Sequence, residues 1–397
     1  LLGRRGSFAP TVLNIVQLVG WTGFEFWAMG LVANEMSRRL FHFSNYWVWL
    51  SIVAVLCTLL AFGGPVVVVR HWLEKFGAWV VAGVAGWITV RLLTTTDLSA
   101  VWQRPGTGGY PNHFWLAVDL VIAMPVSWLP LVADYNRFAR RGATSAAGTF
   151  WGYAIGNAWF YAVGALLVLS ARLHALPTPA QLGLAIAALA GGWVVLLALL
   201  VGESDEAFAD VYSAAVSSQN LSPRINQRGA ILAISAAGFA LAAWLGSKPG
   251  LAVGNYEYFL LLLGSVFIPL FGVFVADYFV IARWGRKHLP IEGNGGARSP
   301  RRSWAAVAAW VAGFLVYQWG VPTPLAGWQR WVEIVMHRWL HLPFPLGGSA
   351  AGASIPSFFA ALLLYLALAA SPRPREGSAE APPPATPRGD RPKRSSP

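Results

Sequence analysis

LGLAIAALAGGWVVLLALLVGESDEAFADVYSAAVSS, residues 182–218, decides how the rest of the chain is read. It is apolar over a membrane-crossing length, and its second half carries Glu203, Asp205, Glu206 and Asp210. One carboxylate at the centre of a membrane helix costs roughly 2.5–3.5 kcal/mol on insertion scales. Four charged and facing lipid would cost on the order of 10 kcal/mol. They must therefore face a protein interior or a wet cavity. Glu203, Glu206 and Asp210 follow i, i+3, i+7 spacing and share one helical face, while Asp205 points elsewhere. Either the acids form a substrate and ion site, or the last turns emerge into cytoplasmic water. YSAAV (212–216) resumes apolar character after Asp210, which favours the site.

The composition agrees with a chain that lives in a bilayer. Of its 397 residues 56% are hydrophobic and only 12% charged, which describes a polytopic membrane protein rather than a soluble domain. Twenty-one Trp suit interfacial belts and aromatic-lined pockets. The single cysteine, Cys57, lies in an apolar run, so no intrachain disulfide and no thiol metal site can form. The net charge of +12 comes from loop anchors and does not indicate nucleic-acid binding.

Ten apolar spans are long enough to cross, near 10–32, 46–69, 78–95, 114–133, 149–170, 185–217, 229–246, 252–282, 304–320 and 354–371. The sixth and eighth are too long for straight perpendicular helices. They contain Gly191, Gly192, Gly264 and Pro269, so tilt or a local break is expected. With the N-terminus inside, alternation places 21 of the 29 Lys and Arg on the cytoplasmic side. Both termini are then cytoplasmic, and the cell (inner) membrane is the expected location. Residues 1–371 form the transmembrane domain. The tail 372–397, rich in Pro, Ser and charge, cannot bury apolar surface and reads as disordered. GWQRWVEIVMHRWLH (327–341) reads as an interfacial helix, and its HRWLH lacks the glutamate of a zinc-protease motif. With no nucleophile elbow, Walker loop or dinucleotide fingerprint, nothing points to an enzyme. Gly148, Gly152 and Gly156 form a tandem G-x-x-x-G, expected to pack closely within the protein, or less readily to dimerise it.

Three further constellations carry chemistry. LVADYNRFAR (131–140) and FVADYFVIAR (274–283) share VADY-x3-AR, which makes Asp134 and Asp277 either equivalent gating positions or a recurring helix-exit signal. GWTGFEFWAMG (20–30) places Trp21, Glu25 and Ala28 on one face, with a carboxylate deep in an apolar span. In MPVSWLPLVADY (124–135), Pro125 and Pro130 flank Trp128 and interrupt a continuous helix. A broken helix at membrane depth leaves backbone groups free for a ligand. Aromatic rings and carboxylates together suit flat heteroaromatic ligands, because stacking is worth roughly 1–3 kcal/mol per base and carboxylates accept from amines and ring N–H groups. The bland role for each Trp is interfacial anchoring, which span-interior positions disfavour for Trp21 and Trp128.

On GRRGS…LNIVQLVGWTGFE, SWLPLVADYNRFAR, DEAFADVYSAAVSSQNL and FGVFVADYFVIAR, the chain resembles the nucleobase:cation symporter family, the group of cytosine permeases and hydantoin transporters. The resemblance runs from Gly3 to about Leu368. DEAFADVYSAAVS looks most like the branch proposed to carry hydroxymethylpyrimidine, a thiamine precursor. The resemblance implies an all-α, inverted five-helix-repeat (LeuT-like) fold with alternating access. By that mapping the ten spans are family helices three to twelve, and the first two helices are lacking. It also implies substrate contacts at Trp21, Glu25, Trp128, Glu206 and Asp210, and half of a sodium site at Val201, Ser204 and Asp205. Acids where hydantoin transporters carry amides favour an amine-bearing ligand.

The reading that results is a secondary permease for a nucleobase-like heterocycle, an aminopyrimidine above others, coupled to Na⁺ or H⁺ and using no other cofactor. Its partners are a small molecule and the lipid bilayer, with no nucleic acid and a monomer as the simplest assembly. The alternatives are a cytosine/purine permease, a hydantoin/allantoin permease, or a truncated membrane protein that does not transport.

Overall fold

The computed structural model describes residues 2, 6–68, 77–104, 112–136, 139–171, 179–188, 192–281, 300–320, 328–341 and 351–369. The tail 372–397 and most of the basic loops behind the orientation argument lie outside them. All regular structure among the described residues is helical.

The helices follow the apolar runs. They are α1 (Phe8–Phe41), α2 (Tyr46–Val68), α3 (Ala78–Thr95), α4 (Leu98–Trp102), α5 (Asn112–Ser127), α6 (Leu129–Asn136) and α7 (Gly142–Ser170). Then come α8 (Pro179–Ala188), α9 (Gly192–Leu221), α10 (Gln227–Ser247), α11 (Pro249–Val275), α12 (Pro300–Gly320), α13 (Trp328–Glu333) and α14 (Ser354–Ala369). Wider π turns extend α11 over Ala276–Ile281 and α13 over Ile334–Trp339.

Among the described residues, seven helical stretches are long and apolar enough to cross a membrane. These are the first five, the seventh and the eighth of the ten expected spans, the fourth crossing from α5 into α6. The remaining three are α9, diluted by its acids, the more polar α12, and α14 at 16 residues. The described part of the sixth span is helical on both sides of residues 189–191, which lie outside the described residues: α8 runs to Ala188 and α9 from Gly192. The eighth stays helical through Pro269 and widens only at Ala276. The fourth breaks where the prolines put it, with α5 ending at Ser127, Trp128 in a turn, and α6 starting at Leu129.

Packing divides the helices into two bodies. In the first, α1 lies along α9 and α10, and α2 closes the group. Its core includes Leu18, Phe26, Leu50, Phe208, Val211 and Leu245. In the second, α11 packs against α5, α12 and α14 around Val273, Ala306, Ala309 and Ala361. The bodies meet through thin contacts of α11 with α1 and α10, and of α6 with α9. An aromatic seam fills this junction, where Trp21 of α1 meets Leu260, Leu263 and Phe267 of α11. Gly20 permits the approach, since a Cβ there would stand 2.5 Å from the Phe259 ring.

The second body satisfies its buried acids. Asp119 of α5, 1% exposed, accepts from the backbone N–H groups of Ala353 (2.9 Å) and Ser354 (2.8 Å), capping α14 across the body. Gly352 makes room, with φ +60° and with Asp119 Oδ1 only 2.8 Å from where a Cβ would sit. Asp277 accepts from the Tyr365 hydroxyl at 2.7 Å and ties the end of α11 to α14.

Candidate functional site

α1 carries Asn14, Gln17, Trp21 and Glu25 at steps of three and four, so one face of an apolar helix turns polar. All four are buried, Trp21 at 4% and Glu25 at 5% exposure. That face meets α9. Asn14 donates to Ser217 Oγ at 3.0 Å, and further along Glu25 faces Asp210, which is 0% exposed. Glu206 and Glu203 lie within electrostatic reach of the same carboxyl.

Apart from the approach of the Glu25 and Asp210 carboxyls to each other, these acids lack protein partners. Both carboxyl oxygens of Glu25, both of Asp210 and Oδ1 of Asp205 are buried, and no hydrogen bond within normal geometry satisfies them. Neither these three nor Glu203 or Glu206 is in a salt bridge; the pairs among the described residues are Arg38 and Arg39 with Glu35. Buried polar groups usually find partners, and an unmade bond costs about 1–3 kcal/mol, more for a charge. Glu25, Asp210 and Asp205 bring several such atoms together on α1 and α9.

Two cavities flank the acids. One of about 290 Å³ is lined by Trp128, Leu131, Val132, Asn136, Thr149, Tyr153, Asp205, Glu206 and Ala209. The other, about 550 Å³, lies between α3, α7 and α9, and Val201, Asp205 and Glu206 reach it from α9. Asp205 and Glu206 thus stand between the two. Asp205 is about 100° around the helix from Glu206, as the spacing predicts, and still borders both cavities.

Trp21 and Trp128 do come together, but not as parallel plates. Their ring centroids are 6.1 Å apart with planes at 90°, so no slot opens between them. Trp21 is packed edge-on by Tyr256 (6.0 Å) and Phe259 (5.4 Å) as well. Trp128 alone borders the smaller cavity. The indole N–H groups of both are buried without acceptors.

The expected ion ligands are adjacent on α9, where the Ser204 hydroxyl donates to the Val201 carbonyl at 2.8 Å. Asp205 supplies the one carboxylate of the three residues, its Oδ1 buried and unpartnered, and oxygen is what hard cations take. Among the described residues no group of three or more His, Cys, Asp and Glu side chains is arranged to hold a metal. Of the gating pair, Asp277 is buried and held by Tyr365, while the side chain of Asp134 lies outside the described residues. The glycine stripe differs from expectation. Nothing comes within 4 Å of a Cβ on Gly148, Gly152 or Gly156, and the last two border the larger cavity, because α7 packs through other faces.

Sequence reading missed Asn14, Gln17, Ser217, Tyr256 and Tyr153. The signal for Asn14 and Gln17 was present: polar residues seven and four positions before Trp21 in LNIVQLVGW fall on its face. Tyr256 and Tyr153 carry no such local mark, since they reach the region from helices distant in sequence.

Comparison with known proteins agrees with this architecture. Residues 1–340 match the pattern of a family described as permeases for cytosine/purines, uracil, thiamine and allantoin. A hydantoin permease of Microbacterium maritypicum is 25% identical over 301 residues, covering 71% of this chain and 59% of that relative. The chain thus spans less than two thirds of that relative's length. The inward-facing conformation of Mhp1 superposes with a TM-score of 0.59 at 18% identity, over 92% of this chain and 74% of the other. That likeness establishes the LeuT-like fold.

Proposed function

We infer the function from one premise: the chain belongs to the family of permeases for cytosine/purines, uracil, thiamine and allantoin. Within it, this chain takes up a planar nitrogen heterocycle as a secondary transporter in a cell membrane, with both termini cytoplasmic. The observation that carries the reading is the set of partnerless acids, Glu25, Asp205 and Asp210, beside a tryptophan that borders a cavity.

The ligand stacks on Trp128 in the cavity of about 290 Å³, at the small end for a ligand site and suited to one ring with short substituents. Glu206 lines the cavity, and Asp210 and Glu25 lie behind it as acceptors for amino or ring N–H groups. Acids without counter-charges select an amine-bearing or protonated ring, so an aminopyrimidine such as hydroxymethylpyrimidine leads, ahead of cytosine, purines, hydantoin and allantoin. Trp21, buried edge-on against Trp128, is the backing of that wall. Asp205, with Ser204 and the Val201 carbonyl, takes the coupling ion. A Na⁺ there draws the carbonyl away from the Ser204 hydroxyl, whereas a proton needs Asp205 alone. Asp134 and Asp277 end their helices at matching sequence positions and serve as gating points, Asp277 by releasing Tyr365.

Uptake of radiolabelled hydroxymethylpyrimidine into cells expressing the chain tests this. Trp128→Ala is expected to cut uptake by about fivefold or more, in line with about 1–3 kcal/mol of stacking. Undiminished uptake would remove Trp128 from the site. Uptake indifferent to Na⁺ but abolished by a protonophore assigns the coupling to H⁺.

A further inference from the structure

A side chain of α1 reaches the break between α5 and α6. Gln17 Nε2 donates to the backbone carbonyl of Ser127 at 2.6 Å, the last residue before the Trp128 turn. The same nitrogen donates to Asn14 Oδ1 at 2.8 Å, and Asn14 donates in turn to Ser217 Oγ at 3.0 Å. Both N–H groups of the Gln17 amide are committed, one to the break and one to a chain anchored on α9. Gln17 is 1% exposed, and its Oε1 is buried without a donor. Pro125 and Pro130 remove N–H donors on either side of Ser127, so the local helix has few bonds of its own to fix the turn. Around it α5 belongs to the second body and α1 to the first, and the bodies touch only thinly.

We infer that Gln17 is a positioning residue of the ligand site: through the Ser127 carbonyl it fixes the α5–α6 break and with it the indole of Trp128 against Trp21. The inference rests on the proposed stacking role of Trp128. Gln17 touches no ligand in this account. It sets where the wall stands, and Asn14 and Ser217 set where Gln17 stands.

A double-mutant cycle separates this from a general structural role. Ligand affinity is read by tryptophan quenching of the full chain in lipid nanodiscs, with hydroxymethylpyrimidine, cytosine, hypoxanthine and hydantoin as probes. Gln17→Met keeps the volume and removes both donors. It is expected to weaken the best probe roughly five- to tenfold, the size of one lost interior hydrogen bond. In a Trp128→Phe background the same change is expected to do little more. A second readout needs no ligand: the emission difference between the chain and its Trp128→Phe form gives Trp128, whose acrylamide quenching is expected to rise in Gln17→Met. If Gln17→Met does not fold, Asn14→Ala, which frees the Gln17 amide, is expected to move both readouts the same way by less. Unchanged Trp128 accessibility, or a Gln17 effect that adds in full to Trp128→Phe, overturns the inference. Failure of every probe to bind the unaltered chain overturns the proposed ligand class instead and leaves acrylamide quenching to decide on Gln17.

Discussion

Asp119 and Asp210 are equally hidden, at 1% and 0% exposure, yet their surroundings are opposites. Asp119 sits in the second body with two backbone N–H groups on its oxygens. Asp210 sits in the first with neither oxygen satisfied and another carboxyl, Glu25, in front of it. Burial alone therefore does not mark a site in a membrane protein. What separates the two acids is whether the fold supplies a donor. The second body supplies partners to Asp119 and to Asp277; the first withholds them from Glu25, Asp205 and Asp210.

Breaking the satisfied side should cost the most stability. Asp119→Ala strands two buried N–H groups of the α14 N-terminus and is expected to destabilise by about 3 kcal/mol or more, read as a fall in melting temperature in detergent. Tyr365→Phe leaves the Asp277 carboxyl without that donor and is expected to cost about 1–3 kcal/mol, read as a fall in melting temperature. The unsatisfied side should respond the other way. Asp210→Asn and Glu25→Gln replace carboxyls to which the rest of the fold donates no hydrogen bond, so stability stays within about 1 kcal/mol of the unaltered chain or rises. Ligand affinity falls at least tenfold in both. A loss of stability in Asp210→Asn as large as that in Asp119→Ala would erase the distinction. The smallest effect is expected at the larger cavity, where Gly156 meets nothing. Gly156→Ala should gain about 0.5–1 kcal/mol of helix stability, whereas Gly20→Ala, which drives a methyl into Phe259, should lose it.

Much of the fold follows from short-range patterns, which is why the chain alone reveals it. Span length, the break at Trp128 between Pro125 and Pro130, and the acids of 203–210 on one helix are all local. The division into two bodies is not, because it depends on which helix faces which. For the same reason the edge-to-face setting of Trp21 and Trp128 was beyond reach: periodicity places both rings near the junction but says nothing of the angle between them. Asp119 shows the limit most plainly. In NHFWLAVDLVIA it reads like Glu25 in GWTGFEFWA, a lone acid in an apolar span. Only the arrival of Ala353 and Ser354, 234 and 235 residues further on, makes one of them structural.

The comparison of Asp119 with Asp210 is tested most directly by ligand affinity at matched substitutions. Tryptophan-quenching titrations of the full chain in nanodiscs with hydroxymethylpyrimidine, cytosine and hydantoin would compare Asp210→Asn with Asp119→Asn. The account predicts saturable quenching by at least one probe, weakened tenfold or more by Asp210→Asn and unchanged in the Asp119→Asn protein that remains folded. Equal affinity for Asp210→Asn and the unaltered chain would contradict it, and the partnerless acids would then not mark the ligand site.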